Sequence, residues 1–440
     1  MKFYKKQLFL TAAGVVCLFL TACDKQKPVL TGQREAFIAL ETRQQPDPVL
    51  AQHVVAIPAG VANSSWPQMA GNPAHAMPVL KLAPDPKSQG SISLGRGATD
   101  CQRLLSMVVA ENGRIYGMDA DGLVTAIDTA KTPFAVVWQK PTTPSDIYQE
   151  ALGGGVSVQK GIVYASTSFG ELVAFDEKEG RELWRSSVHS PVRTAPTVKD
   201  GRVFVTTISN ETFAFDATTG THLWSHAGIA EQSALLGGGS PAVSENVVIV
   251  AYSSGEVYAL QAENGHVLWS DTLTSAVRVD TVSSIPHIRA CPVVEGGQVF
   301  VISHGGRIVS IDLKTGVRQW QREIGGTHAP VVAGDWLFVL SGQGDVFCLQ
   351  RHTGAIRWAA ALPKIDSEDS DKKTIFWSGP VLIEDQLVFS GSNGQVRFIH
   401  VKDGQMAKVL TFSGQSFLPP IVVNQTLYIL NDQAELYAWK

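Results

Sequence analysis

One short stretch recurs along most of this chain, and it limits the fold more than any other feature. GLVTAID ends at Asp128, GELVAFD at Asp176, ETFAFD at Asp216 and GEVYALQ at Gln261. GRIVSID, GDVFCLQ, GQVRFIH and AELYAWK follow, ending at Asp312, Gln350, His400 and Lys440. The eight copies lie roughly 45 residues apart, a period that belongs to repeat architectures. Six of them are followed four residues later by a glycine: Gly180, Gly220, Gly265, Gly316, Gly354 and Gly404. Four residues after the first five of these comes a tryptophan, at Trp184, Trp224, Trp269, Trp320 and Trp358, and Trp138 holds the same place after a longer turn in the first copy.

Upstream of each copy stands a pair of apolar runs joined by a two-residue polar turn, as in APTVKDGRVFVTT from Ala195 or CPVVEGGQVFVIS from Cys291. Apolar run, tight turn, apolar run is a hairpin signal. Each repeat therefore reads as four antiparallel strands, which is one blade of a β-propeller. The expected fold is all-β: an eight-bladed β-propeller over residues 63–440, with four antiparallel strands per blade. The last copy ends at Lys440 without a fourth strand. Closure by an N-terminal strand is expected, lent by the segment around Trp66, which would remove an exposed sheet edge. Within each repeat the Asp should accept amide hydrogens of the turn and the Gly should supply a positive φ. The Trp offers a planar surface for packing between blades.

Residues 1–22 have a different character. Lys2, Lys5 and Lys6 precede an apolar run from Leu8 to Leu20, the layout of a secretory leader. The run closes on Leu20-Thr21-Ala22-Cys23, which resembles the lipobox of bacterial lipoproteins, so Cys23 is the expected lipid-attachment residue. Residues 23–62 are polar and punctuated by Pro28, Pro46, Pro48 and Pro58, and read as a flexible tether. Of the remaining cysteines, Cys101, Cys291 and Cys348 are odd in number and widely spaced, which favours free thiols over a disulfide framework.

The Ala-x-Asp-x-x-x-Gly-x-x-x-Trp signature, as in Ala174, Asp176, Gly180 and Trp184, resembles the repeat of pyrroloquinoline-quinone enzymes. It equally resembles that of the BamB family, lipoproteins of the outer-membrane β-barrel assembly machinery. The lipobox and eight blades without an inserted domain favour the second family. That resemblance implies a non-enzymatic scaffold at the periplasmic face of the outer membrane. Its partners would be the periplasmic modules of a BamA-like barrel-forming component and nascent outer-membrane proteins. The resemblance also implies two partner-contacting stretches, Ala234–Pro241 (ALLGGGSP) and Arg278–Pro292. The candidate contact residues are Leu235, Leu236, Arg278, Asp280, His287 and Arg289. The chain departs from the family pattern here, with Gly237 where a basic residue is expected and His287 and Arg289 where acids are common. Asp24 beside the lipid cysteine is the position that in enteric bacteria can hold a lipoprotein in the inner membrane.

Other functional classes find little support. With 36 basic against 40 acidic residues, the chain lacks the basic balance of a nucleic-acid binder. A quinone-dependent oxidoreductase, the first alternative, would be expected to gather calcium-ligating oxygens at one place; no such cluster and no adjacent-cysteine pair stands in the sequence. A ligand-binding periplasmic lipoprotein is the second alternative. The histidines have no metal-ligand spacing. The glycine runs Gly153–Gly155 and Gly237–Gly239 lack the Lys-Ser/Thr ending of a phosphate loop and read as tight crossings between blades. No cofactor, metal site or catalytic residue is expected.

Overall fold

The computed structural model describes residues 44–440, apart from 132, 145–150, 232–233, 274–285 and 367–371. Eight separate four-stranded antiparallel sheets follow one another in a ring, an eight-bladed β-propeller. Blade 2 shows the plan: Gly154–Gln159 is the inner strand, then come Ile162–Thr167 and Glu171–Asp176, with Glu182–Ser187 outermost. Burial falls along that order. The second and third strands are almost wholly buried, while the outer strand is largely exposed. Alternating strand direction puts the first turn of every blade, and the third turn of blades 1 to 7, on one face of the ring, the turn face. The middle turns and the connections between blades lie on the other, the loop face.

The repeated residues form a staple between blades. Asp176 Oδ1 accepts the amides of Lys178 and Glu179, each at 3.0 Å, and Gly180 follows at φ 67°. The Asp–Gly turn then meets the tryptophan of the preceding blade. A Cβ on Gly180 would lie 2.6 Å from the Trp138 ring, and one on Gly316 2.6 Å from Trp269. Gly220, Gly265, Gly354 and Gly404 likewise sit under Trp184, Trp224, Trp320 and Trp358. Each ring also donates its Nε1–H to a backbone carbonyl beside that turn: Trp138 to Glu177, Trp184 to Ala217, Trp224 to Ala262. Trp269, Trp320 and Trp358 do the same to Leu313, Arg351 and Val401. Glycine is thus required twice, for the turn's left-handed backbone and for the space the indole occupies. The staple spans the six junctions from blade 1–2 to blade 6–7.

The remaining two junctions are built otherwise. In blade 7, Lys408 stands opposite Phe398 where Trp184 stands opposite Ala174 in blade 2. Blade 8 comprises Ile421–Val423, Thr426–Leu430, Glu435–Trp439 and, as its outer strand, Ser88–Ser93. An N-terminal strand does close the ring, but it is Ser88–Ser93 and not the segment around Trp66. The reason is polarity. The outer position faces water and suits SQGSIS, whereas Trp66 is 3% exposed and belongs inside. Trp66 instead exchanges two backbone hydrogen bonds, of 2.7 and 2.8 Å, with Ala110 in the inner strand of blade 1.

Residues 61–81 continue from there around the central opening as a strap on the inner strands. Pro67, Pro73 and Ala74 carbonyls accept the amides of Val158, Val243 and Val294, in blades 2, 4 and 5. The Gln68 side chain bonds both ways to Val198 of blade 3, Leu80 bonds to Leu382 and Glu384 of blade 7, and Asn63 Nδ2 donates to Val422 of blade 8. Inner strands have an open edge facing the axis, and buried edge amides without partners are costly. The strap satisfies them while its apolar side chains fill the middle. Trp66 and Leu80 belong to the same buried cluster as Leu94, Met107, Ile383 and much of blade 8.

Of the stretch read as a tether, residues 23–43 lie outside the described residues. From Asp47, whose amide donates to Ile356 of blade 6, the chain lies against the propeller. Leu50 is buried, Val55 packs in the cluster of Trp336 and Trp377, and Arg357 Nε donates to the His53 carbonyl. Leu50 and Val55 are isolated apolar residues among polar ones, so composition alone conceals their burial.

Candidate functional site

The loop face carries the candidate site, a cleft over blades 3 and 4. Its wall on blade 3 comes from Arg193, Thr194, Thr207 and Asn210, and its other wall from Leu235, Ser253 and His287. Gly237, Gly238 and Gly239 form the floor, just before the inner strand of blade 4, Ala242–Ser244. These glycines make the cleft possible. A Cβ on Gly238 would come within 3.0 Å of Thr194 Cγ2, and one on Gly239 within 2.5 Å of the Ala290 carbonyl oxygen.

A polar framework holds the walls. Asn210 Oδ1 accepts the backbone amide and hydroxyl of Ser253 at 3.0 and 2.9 Å, and its Nδ2 donates to the Ile229 carbonyl. Glu256 Oε2 accepts the Ile229 amide and the Ser254 hydroxyl, and Oε1 accepts the Tyr258 hydroxyl. The strand-to-loop passage at residues 228–229 is therefore tied from two sides. Pre-ordered loops of this kind cost less entropy when a partner docks.

Two of the stretches expected to contact partners meet in this cleft. The Leu235 amide donates to His287 Nδ1 at 2.8 Å, which leaves the ring proton on Nε2. His287 is buried, and burial together with the nearby Arg289 charge lowers its pKa to about 4, so it is neutral at pH 7. Leu235 and Leu236 are half-buried at the rim. Arg289, also half-buried, stands over Gly237: a Cβ there would be 3.1 Å from Arg289 Nε. Burial pushes the Arg289 guanidinium below its ordinary value. Cys23, Arg278 and Asp280 lie outside the described residues.

Sequence reading passed over Arg193 and Thr194, yet a signal was available. Arg193 stands three residues before Pro196, as Arg289 stands three before Pro292, so both occupy one place in the repeat. It also passed over Phe376 and Phe417, an exposed aromatic pair 6.3 Å apart on the loop-face connections of blades 7 and 8.

Among the described residues no three His, Cys, Asp or Glu side chains group to hold a metal ion. Cys291 and Cys348 are buried free thiols, with burial raising the pKa of Cys291 to about 11, while Cys101 is exposed.

The family model described as "Outer membrane protein assembly factor BamB" matches residues 120–360, more than half of the chain. The chain belongs to the BamB family. The assembly factor of Salmonella typhimurium is 26% identical over 82% of this chain and 92% of its own length, and that of Escherichia coli K12 is 25% identical over 82% and 91%. Among solved structures, BamB from Moraxella catarrhalis superposes with a TM-score of 0.66 at 19% identity, covering 80% of this chain and all of the other. A europium-containing methanol dehydrogenase reaches the same TM-score at 13% identity over 83% of this chain, so the propeller fold is common to BamB and to an enzyme. Fold likeness alone therefore does not choose between scaffold and catalyst. The repeat sequence that the family model matches does.

Proposed function

We propose that this protein is a non-catalytic scaffold of the outer-membrane β-barrel assembly machinery. It belongs to a family of assembly factors rather than of enzymes, and its place is the periplasmic side of the outer membrane. In this reading a lipid on Cys23 tethers the ring to the membrane, and the loop face binds the periplasmic modules of a BamA-like barrel component. Nascent outer-membrane proteins are then held near the insertion site. The observation that carries the reading is the loop-face cleft: Leu235 from one interblade connection is joined to His287 from the next, and the walls are fixed by Asn210 and Glu256. That is a preformed docking surface on a rigid ring.

Native capture from detergent-solubilised membranes tests it, with an unlipidated Cys23→Ala variant alongside. The expected result is recovery of an outer-membrane barrel protein with its periplasmic repeats, and membrane release of the variant. Recovery of inner-membrane or respiratory components instead would overturn the reading, and recovery in the inner membrane would assign the decisive sorting role to Asp24.

A further inference from the structure

Between the strap and the inner strands of blades 6 and 7, the centre of the ring keeps a cavity of about 70 Å³. Trp66, His75 and Met77 line it from the strap, and Met107, Val332 and Leu382 from the blades. Two of these side chains carry a buried polar atom with no hydrogen-bond partner among the described residues. Trp66 is 3% exposed and its Nε1–H has no acceptor there; His75 is 4% exposed and its Nε2 has no donor. The His75 Nδ1–H is already committed to the Pro292 carbonyl at 2.8 Å, so the other ring nitrogen presents a lone pair. Buried donors and acceptors are normally satisfied, and each exception calls for an explanation.

The chemistry of the wall limits what can serve both atoms. No Asp, Glu, Lys or Arg lines the cavity, so neither an anion nor a cation finds a counter-charge. His75 and His328, the titratable groups in the wall, are kept neutral at pH 7 chiefly by burial, with pKa values of about 4 and about 3. Water alone suits the space poorly. A buried water makes about three hydrogen bonds and occupies ~30 Å³, less than half of this cavity, whose wall is mostly Met, Val, Leu and Pro. We propose that the axial cavity binds a small uncharged molecule, apolar in its bulk, that donates one hydrogen bond to His75 Nε2 and accepts one from Trp66 Nε1. A short alcohol or a five-membered azole has that pattern. A largely apolar pocket with a few fixed polar groups is the usual form of a small-molecule site. The cavity lies on the ring axis, and the proposal does not depend on the loop-face cleft or on the scaffold reading. Its occupant braces the strap against blades 6 and 7.

The probe is pyrazole, uncharged at pH 7, with one N–H and one acceptor nitrogen on a five-membered ring. Thiophene, a ring of the same size without an N–H donor, is the control. Saturation-transfer NMR on the full-length protein in detergent, with protein-free micelles as blank, should show saturable binding of pyrazole. Thiophene should bind about tenfold more weakly. Melting temperature should rise with pyrazole concentration, as for any ligand of the folded state alone. Trp66→Phe and His75→Phe should each weaken binding about five- to tenfold, the loss expected for one buried hydrogen bond. Ala329 lines the same cavity, and Ala329→Leu should abolish binding by filling the space while both polar atoms stay in place. The two kinds of variant check each other should one fail to fold. Absence of saturable pyrazole binding would leave the space to water alone and overturn the proposal. Equal binding of thiophene, or pyrazole binding unchanged in the folded variants, would overturn it as well.

Discussion

The six stapled junctions and the two closing junctions solve one problem in different ways. Along the arc from blade 1 to blade 7, each joint is local: a tryptophan on one outer strand, a glycine in the third turn of the next blade, and one Nε1–H bond to a nearby carbonyl. At the seam the joint is long-range. The third and outer strands of blade 8 come from opposite ends of the described chain, so no turn joins them and no turn glycine exists to receive an indole. Lys408 takes the tryptophan's place in blade 7, and burial of Trp66, Leu80 and Leu94 among blade 8 side chains does the work instead. Repetition can build an arc, but closing it needs residues that are not part of the repeat.

The sharpest way to break that contrast is to remove the strap. Deleting residues 58–81 takes away the hydrogen bonds to the inner strands of seven blades together with Trp66 and Leu80. The expected outcome is loss of a cooperative thermal transition, read by circular dichroism. Cutting a single staple should be milder. Trp358→Ala, 6% exposed and bonded to Val401, should destabilise by about 3–5 kcal/mol in urea titration, the range for a buried Trp truncated to Ala. Lys408→Trp should not recover a comparable amount, because blade 8 offers no receiving turn.

Glycines sharpen the comparison further. Gly316 and Gly201 share a left-handed backbone, at φ 72° and 75°, but a Cβ on Gly316 would strike the Trp269 ring while one on Gly201 would meet nothing within 4 Å. Gly201→Ala should cost about 1 kcal/mol from backbone strain alone. Gly316→Ala should cost about 2–3 kcal/mol more, since the indole must shift as well.

A pH effect should localise to the strap and the centre of the ring. His75 donates through Nδ1 to the Pro292 carbonyl, its Nε2 is buried with no hydrogen-bond partner among the described residues, and burial lowers its pKa to about 4. His328 is lowered to about 3 by burial and by Arg289. Both values lie below the ordinary 6.5, so between pH 6.5 and 4 the unfolded chain binds more protons than the folded one. The contribution of these neutral rings is complete above pH 6.5 and is lost as pH falls through that window. Melting temperature should therefore drop from pH 6.5 to 4.5, and His75→Gln should flatten the slope.

The smallest effect on stability belongs to the loop face. Replacing Leu235 and Leu236 by Ala should shift the melting temperature by only a few degrees, as expected for half-buried side chains. Partner capture should nevertheless fall. A variant that unfolds instead would place both leucines in the interblade core.

The sequence by itself determined the repeat unit, the number of blades, the strand order within each and the residues of the staple. Each of those is a short-range pattern: alternation sets strands, and Asp, Gly and Trp act within one blade or on its neighbour. Tertiary structure alone decided which N-terminal segment closes the ring, that Trp66 lies at the axis rather than the rim, and which inner-strand amides the strap caps. Those outcomes depend on contacts between residues a hundred or more positions apart, such as Gln68 with Val198 or Asn63 with Val422. Periodicity along a chain carries no information about such pairs. They are chosen by which apolar side chain and which unpaired inner-strand amide can be buried together once the ring has formed.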